Sequence, residues 1–356
     1  MSTHFAAHPR SLLRRYLLAV YVLLILYASL SPFSGWQEQG LEFGEVLTSP
    51  LWQTYTAFDA ITNCLAYVPL GMLLMLTLRA HWDARRSLLF ATLGGLMLSF
   101  ALEYLQMYLP SRISSNADIL SNGMGGFAGA LLALAIEPRV WFVCATHWRI
   151  ELFQRGHGVD FGLALVMLWM FAQINPSLPM LGNVFITEAA HRIFMTMPEE
   201  PFNVWESIAV ALNLMMIGLL LQTLLHVRRH AVIALVLTLC VVALAKFIAA
   251  AVLLKSWALL LWLNSEAMLG IVVGLLLMWG MSWLRRPYLL WMAILAALAY
   301  FVLALWVLDG GTPSAAMRLY QWRYGHLLNY NGLSQMLSVM FPLLLGVYLG
   351  WARRRL

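Results

Sequence analysis

Ten times along this chain an apolar block of about 20 residues recurs, the length at which a helix crosses a hydrocarbon core of roughly 30 Å. The blocks run at about 16–33, 57–78, 88–109, 117–136, 159–176, 203–225, 230–254, 258–283, 287–308 and 331–351. No water reaches backbone groups in such a core, so helices, which bond their own N–H and C=O groups, are the form these segments can take. The sequence predicts an all-α, polytopic transmembrane bundle of about ten spans. Composition points the same way. Of 356 residues 62% are apolar and 11% charged, whereas soluble domains are about a quarter charged.

The net charge of +6 does not indicate nucleic acid, because the basic residues sit in short runs between apolar blocks rather than on a solvated face. That placement sets membrane orientation instead. With a cytoplasmic N-terminus, the inner segments hold Arg10, Arg14, Arg15, Arg79, Arg85, Arg86, Arg139, Arg149 and Arg155. Arg228, Arg229, Arg285, Arg286, Arg353, Arg354 and Arg355 follow on the same side. Outside lie only Arg112, Arg192, Lys255, Arg318 and Arg323, together with the acids Glu38, Glu42, Glu45, Glu188, Glu199 and Glu200. Both termini are therefore expected in the cytoplasm. The first block follows Arg14 and Arg15, is too long for a signal-peptide core and precedes no small-residue cleavage site, so it reads as an uncleaved span.

Residues 34–56, 177–202 and 309–330 carry Trp, Tyr, Pro and acids and are expected at the outer interface; 138–158 is expected at the inner one. Cys64, Cys144 and Cys240 are too scattered for a disulfide framework and read as packing residues. None of the nine His has a metal partner at ligand spacing, so no metal and no cofactor are expected. Blocks one to four and five to eight share a topology, and each set ends in a Gly-xxx-Gly, Gly125–Gly129 and Gly270–Gly274. The glycines predict close helix packing. The parallel permits a degenerate duplication, with residues 159–284 repeating the first unit.

Polar residues inside the second to fourth blocks carry the chemistry. A charge at the bilayer centre costs about 2.5–3.5 kcal/mol on insertion scales and so needs a partner or a use. The second block offers Asp59 and Asn63, the third Glu103 and Gln106, and the fourth Asp118 and Asn122. Each pair is spaced by three or four residues and shares one helix face. Glu103 lies about 10 Å below Pro110, and Asn63 and Asn122 about 6 Å below Asp59 and Asp118, so all share the outer third of the bilayer. The short connection through Arg112 makes the third and fourth blocks neighbours. Asp59, Asn63, Glu103, Gln106, Arg112, Asp118 and Asn122 then line an outward-facing pocket, with Arg112 the counter-charge for Glu103 or Asp118. An interhelical polar clamp is the plainer alternative. In the later blocks Lys246 is expected to pair with Glu266, or else to meet an anionic headgroup; Glu206, Asn213 and Asn264 accompany them.

The strings Asp59-Ala-Ile-Thr-Asn63-Cys-Leu-Ala-Tyr67-Val-Pro69-Leu-Gly71 and Glu103-Tyr-Leu-Gln106, followed by Arg112, Asp118, Asn122 and Gly125–Gly126, resemble the VanZ-like family. The resemblance covers about residues 16–136. It implies a helical domain of the bacterial cytoplasmic membrane, in a family whose namesake is linked to glycopeptide (teicoplanin) resistance; it implies no particular reaction. The domains expected are a four-span VanZ-like unit at 1–137, an interfacial linker at 138–158 and a six-span extension at 159–356.

Three functions fit these residues. The first is binding of an amphiphilic or lipid-linked envelope ligand in the outward pocket. The second is an enzyme acting on a lipid headgroup or glycan, with Glu103 and Asp118 as acid and base and Arg112 steadying an anionic group. The third is transport, which ten spans and a parallel repeat suit.

Overall fold

A computed structural model describes residues 12–40, 42–50, 57–154, 156–182, 202–306, 319–321 and 325–353. Arg10, Arg155, Glu188, Arg192, Glu199, Glu200, Arg318, Arg323, Arg354 and Arg355 lie outside them, as do most of 183–202 and 309–330. Among the described residues all regular structure is helical, apart from the isolated bridges Phe153–Leu225 and Leu254–Tyr320. The chain forms two compact units, Met1–Ile150 and Glu151–Leu356.

The first unit holds α1 (Leu13–Leu30), the short α2 (Phe43–Thr48), α3 (Ala57–Leu78), α4 (Ala84–Gln106) and α5 (Asn116–Ile136). Polar side chains start two of these helices. Asp83 accepts from the Arg86 N–H and Ser115 from the Ala117 N–H, satisfying donors that a first turn leaves open. Glycines then set how α3 and α5 meet. A Cβ at Gly125 would collide with the Cys64 carbonyl, one at Gly129 with that of Val68, and one at Gly71 with that of Gly126. The two backbones touch, as small residues allow where lipid offers helices no hydrophobic drive to associate. Near the chain reversals at one end, Ile25, Leu30, Tyr67, Leu70, Leu102 and Leu109 form the core. Deeper along α3, α4 and α5, Met75, Ala91, Ala130 and Ala133 take over.

The two ends of this unit differ in charge. One carries Arg14, which donates to the Leu76 carbonyl at 2.8 Å, and the Arg79–Glu137 ion pair at 3.1 Å. The other carries Asp59, Glu103 and Asp118. The loop after α1 lies against this acidic end. Gln39 donates to the Met107 carbonyl, Asn116 donates to those of Leu47 and Ser49, and Phe43 meets Phe100 and Tyr104 edge-on. After α5, the expected inner segment forms α6 (Val140–Leu152), with no described side chain of it buried.

The second unit holds α7 (His157–Gln173), α8 (Val204–Leu224), α9 (Ala231–Leu253), α10 (Ser265–Met281), α11 (Arg286–Trp306) and α12 (Gly325–Arg353). Apolar on every face, α8 is buried along nearly its whole length, as such a helix must be inside a bundle. Gly270 and Gly274 of α10 pack on it: a Cβ at Gly270 would lie 2.6 Å from the Ser207 carbonyl oxygen, and one at Gly274 3.3 Å from the Ala211 Cα. Both Gly-xxx-Gly motifs thus serve close packing.

Every predicted apolar block is a helix, and eight of these are long and apolar enough to cross a membrane. The fifth and eighth blocks form the 17-residue α7 and α10, whose roughly 25 Å falls short of the hydrocarbon thickness. Irregular backbone makes up the difference. From Asn175 to Gly182 every residue is buried, so this stretch lies inside the unit and not at the interface where the sequence placed it. Buried irregular backbone persists when each polar group finds a partner. Here Asn213 donates to the Leu181 carbonyl, the Met180 N–H to that of Trp262, and Lys246 to those of Gln173 and Pro179 at 3.0 and 3.2 Å.

That placement corrects three further expectations. Lys246 does not pair with Glu266; its ammonium is spent on the Gln173 carbonyl at the end of α7, where cations are favoured, and on the Pro179 carbonyl beyond it, while Glu266 accepts from the Ser265 hydroxyl. Leu319 and Tyr320 are buried rather than interfacial, because the Lys255 N–H bonds the Leu319 carbonyl and the Tyr320 hydroxyl bonds Asn331. Cys64 packs against α5, but Cys144 and Cys240 are exposed on their helices.

Candidate functional site

Pro110 cannot continue α4, and the chain turns there through Leu109→Gln106 and Arg112→Leu109 backbone bonds before Ser115 caps α5. This reversal carries the start of α5 back beside the start of α3 and the end of α4. It brings Asp59, Asn63, Glu103, Gln106, Arg112, Asp118 and Asn122 to one end of the first unit.

Four of the seven share a connected seam with Ser99 and Tyr67. The Asn63 side-chain amide donates to the Asp118 carboxylate, joining α3 to α5. Glu103, 3% exposed, accepts from the Ser115 backbone N–H at 2.8 Å, and the Ser114 hydroxyl donates to the Glu103 carbonyl at 2.8 Å. The Asn122 amide donates to the Ser99 hydroxyl at 3.0 Å. Glu103 and Asp118 lie within electrostatic reach of each other and of the Tyr67 hydroxyl. Asp59 sits one turn before Asn63 on the same face, half-buried.

Two buried oxygens of this seam lack a partner among the described residues. Asn122 Oδ1 accepts nothing, and the Tyr67 hydroxyl has no bond in hydrogen-bond geometry although Ser99 lies beside it. Tyr67 is 4% and Asn122 7% exposed. A buried polar atom left open costs about 1–3 kcal/mol, so such atoms call for water or a ligand.

The remaining two residues face α1. Gln106 donates to the Ser29 carbonyl at 3.0 Å. Arg112 donates from Nη2 to the Ala28 carbonyl at 2.6 Å, and from Nε and Nη2 to that of Ser31 at 3.2 and 3.0 Å. Its guanidinium holds the C-terminal end of α1 and also lies within electrostatic reach of Glu103. Burial pulls its pKa below the ordinary value, and the Glu103 charge acts against that pull.

The pocket read from the sequence omits two members of the seam, Tyr67, which stands there only within the family string, and Ser99. Ser99 precedes Glu103 by four residues and so shares its face, a spacing that could have found it. Ser115 was equally silent, because it acts through its backbone.

Residues 15–137, about a third of the chain, match the VanZ/LLP1 family. The first unit carries a VanZ-like domain. The VanZ-like domain therefore contains the whole seam, from Asp59 to Asn122, together with the α3–α5 glycine contact. The chain matches no curated protein and no solved structure.

Proposed function

We propose that the VanZ-like domain binds an amphiphilic or lipid-linked ligand of the bacterial cell envelope in a cleft at the outer face of the cytoplasmic membrane. The observation that carries this reading is the pair of unpartnered buried oxygens, Asn122 Oδ1 and the Tyr67 hydroxyl, set beside Glu103 and Asp118. A clamp built only for packing would close its own bonds; these atoms wait for an outside donor. Basic residues at the opposite end of the unit support the outward orientation. Ligand entry from the side suits a site that begins at half-buried Asp59, Asn63 and Asp118 and ends at buried Glu103.

The test is complementation of a deletion strain with Glu103→Gln, Asp118→Asn or Asn122→Leu, each checked for membrane level. Altered sensitivity to envelope-active drugs such as teicoplanin, at normal protein level, supports the proposal. Full complementation by all three overturns it. Mass spectrometry of envelope lipids and glycans from the same strains tests acid–base chemistry by Glu103 and Asp118; an unchanged profile rules that chemistry out.

The second unit favours a further reading, transport. Its short helices α7 and α10 end in irregular backbone that meets through the Met180 N–H and the Trp262 carbonyl, 2.8 Å apart. Short or interrupted spans of this kind mark substrate sites in transporters. Proteoliposome flux dependent on an ion gradient would establish it, and its absence across amphiphilic and ionic substrates would remove it.

A further inference from the structure

We propose that the basic end of the VanZ-like domain, where the start of α1 meets the end of α3, binds the phosphate of an anionic membrane phospholipid. This site lies at the opposite end of the unit from the acidic seam and stands independently of the ligand reading above.

Three guanidinium groups close on one short stretch, residues 76–82. Arg14 donates to the Leu76 carbonyl at 2.8 Å, and Arg79 donates from Nη1 to that of Trp82 at 3.2 Å. Arg15 Nη2 lies 3.0 Å from His81 Nε2. A guanidinium can only donate, so the imidazole nitrogen is the acceptor there. Arg15 and His81 are exposed and Arg14 and Arg79 half-buried, so an ion at the surface reaches them without a cavity.

The acids at this end are already engaged. Among the described residues Glu137 pairs with Arg79 at 3.1 Å and Asp83 with Arg86 at 3.4 Å. Neither Arg14 nor Arg15 has a carboxylate at ion-pair distance among those residues. The chain holds no acid before Glu38, which belongs to the loop at the acidic end. Arg14 and Arg15 also stand in the first turn of α1, where the helix dipole is itself positive and favours anions. The cluster thus gathers positive charge where positive charge is costly, and what it lacks is an anion.

Membrane orientation does not account for this placement. It requires basic residues on one side of the membrane, and runs between spans suffice. It does not require Arg14 and Arg15 to lean on one turn of α3. Arg14, Arg15, Arg79 and His81 all sit at helix ends, the level of the headgroups. Trp82 stands there too, exposed and 4.8 Å from the Phe90 ring, as an aromatic at the interface does. The anion abundant at that level is the phospholipid phosphate. Arginine takes phosphate through paired N–H bonds, and basic pockets between spans on the cytoplasmic side hold anionic headgroups. Phosphatidylcholine brings its phosphate with a cation beside it, which this cluster repels; phosphatidylglycerol brings the phosphate alone.

The full-length protein, released from nanodiscs and followed by native mass spectrometry, provides the test. Phosphatidylglycerol and phosphatidylcholine of identical acyl chains compete for it in equal mixture. Wild type should retain phosphatidylglycerol over phosphatidylcholine by about tenfold. Arg15→Gln and Arg14→Gln should each reduce that preference about fivefold. Arg285→Gln removes an exposed charge from the second unit and should leave the preference within about twofold of wild type. Arg15→Gln should melt like wild type, because its bond to His81 lies at the surface. Equal retention of the two lipids by wild type overturns the proposal. So does a loss in Arg285→Gln as large as that in Arg15→Gln, since it would mean diffuse attraction and no site. Release of bound phosphatidylglycerol by millimolar glycerol 3-phosphate overturns the lipid assignment in favour of a soluble phosphate.

Discussion

The Asn63 amide donates to the Asp118 carboxylate one residue before Cys64, whose carbonyl lies against Gly125, so a polar bond and a backbone contact tie α3 to α5 at adjacent positions. A hydrogen bond to a charged group is worth about 1.5–3 kcal/mol. Asn63→Ala should lower stability by about that amount, read from thermal melting in detergent. Asn63→Asp should cost more at neutral pH, since it sets two carboxylates together. Its loss should shrink as pH falls, because a protonated carboxyl regains a donor; a loss independent of pH would deny the Asn63–Asp118 bond.

Glycine substitutions separate contact from mere helix propensity. Gly129→Ala drives a Cβ into the Val68 carbonyl and Gly125→Ala drives one into that of Cys64; backbone cannot swing aside as a side chain can. Overpacking of this kind costs about 1–3 kcal/mol. Gly94→Ala is the matched control, because its Cβ would meet the Leu74 methyls at an ordinary 3.6 and 4.0 Å. The first two should lower the melting temperature, and Gly94→Ala should leave it level or raise it through better helix propensity.

How much of this was legible in the sequence follows from the range of each interaction. Helices announce themselves locally: block length and apolarity placed all ten, and Asp83, Ser115, Asn203 and Asn264 mark starts through bonds to N–H groups two or three residues on. The seam was partly legible too, since i, i+3 and i, i+4 spacing puts Glu103 with Gln106 and Asp118 with Asn122 on shared faces. Bonds to distant carbonyls left no trace. Arg112 reaches back to Ala28 and Ser31, and Lys246 reaches back to Gln173 and Pro179, where any residue type supplies the same acceptor. Charge pairing is the only partnership a sequence advertises, so both cations were matched to acids. The burial of Asn175–Gly182 was hidden for the same reason: its Pro and polar residues read as surface until Lys246, Asn213 and Asn331 supply partners.

Arg112 gives a direct test of that lesson. Its two nitrogens divide three bonds between two carbonyls, a fork that a lysine ammonium on a flexible stem does not reproduce. Arg112→Lys should therefore retain the charge but lose stability nearly as far as Arg112→Ala, by about 1–3 kcal/mol. Were the role chiefly that of a counter-charge to Glu103, Arg112→Lys would melt like wild type and Arg112→Ala alone would fall.

Lys246 in the second unit resembles Arg112 in the first: each gives donors to a carbonyl at the end of the unit's first helix, Arg112 to Ala28 and Ser31 and Lys246 to Gln173, with Pro179 beyond it. With the Gly-xxx-Gly of α5 on α3 and that of α10 on α8, this parallel supports the proposal that residues 159–284 repeat the first unit. At 1% exposure Lys246 is buried with no carboxylate at ion-pair distance among the described residues, and its bonds go to the Gln173 and Pro179 carbonyls. Lys246→Met keeps the volume and removes the donors; it should cost about 2 kcal/mol or more, since two buried carbonyls lose their partner. The loss should appear where those carbonyls are. Ser177→Cys, buried in the same stretch, should resist maleimide in a background whose Cys64, Cys144 and Cys240 are replaced by alanine, and react readily there beside Lys246→Met. Glu266→Gln should leave both labelling and melting unchanged, and the Lys246→Met, Glu266→Gln double-mutant cycle should give a coupling near zero; a coupling above about 0.5 kcal/mol would restore the ion pair that the charge pattern suggests.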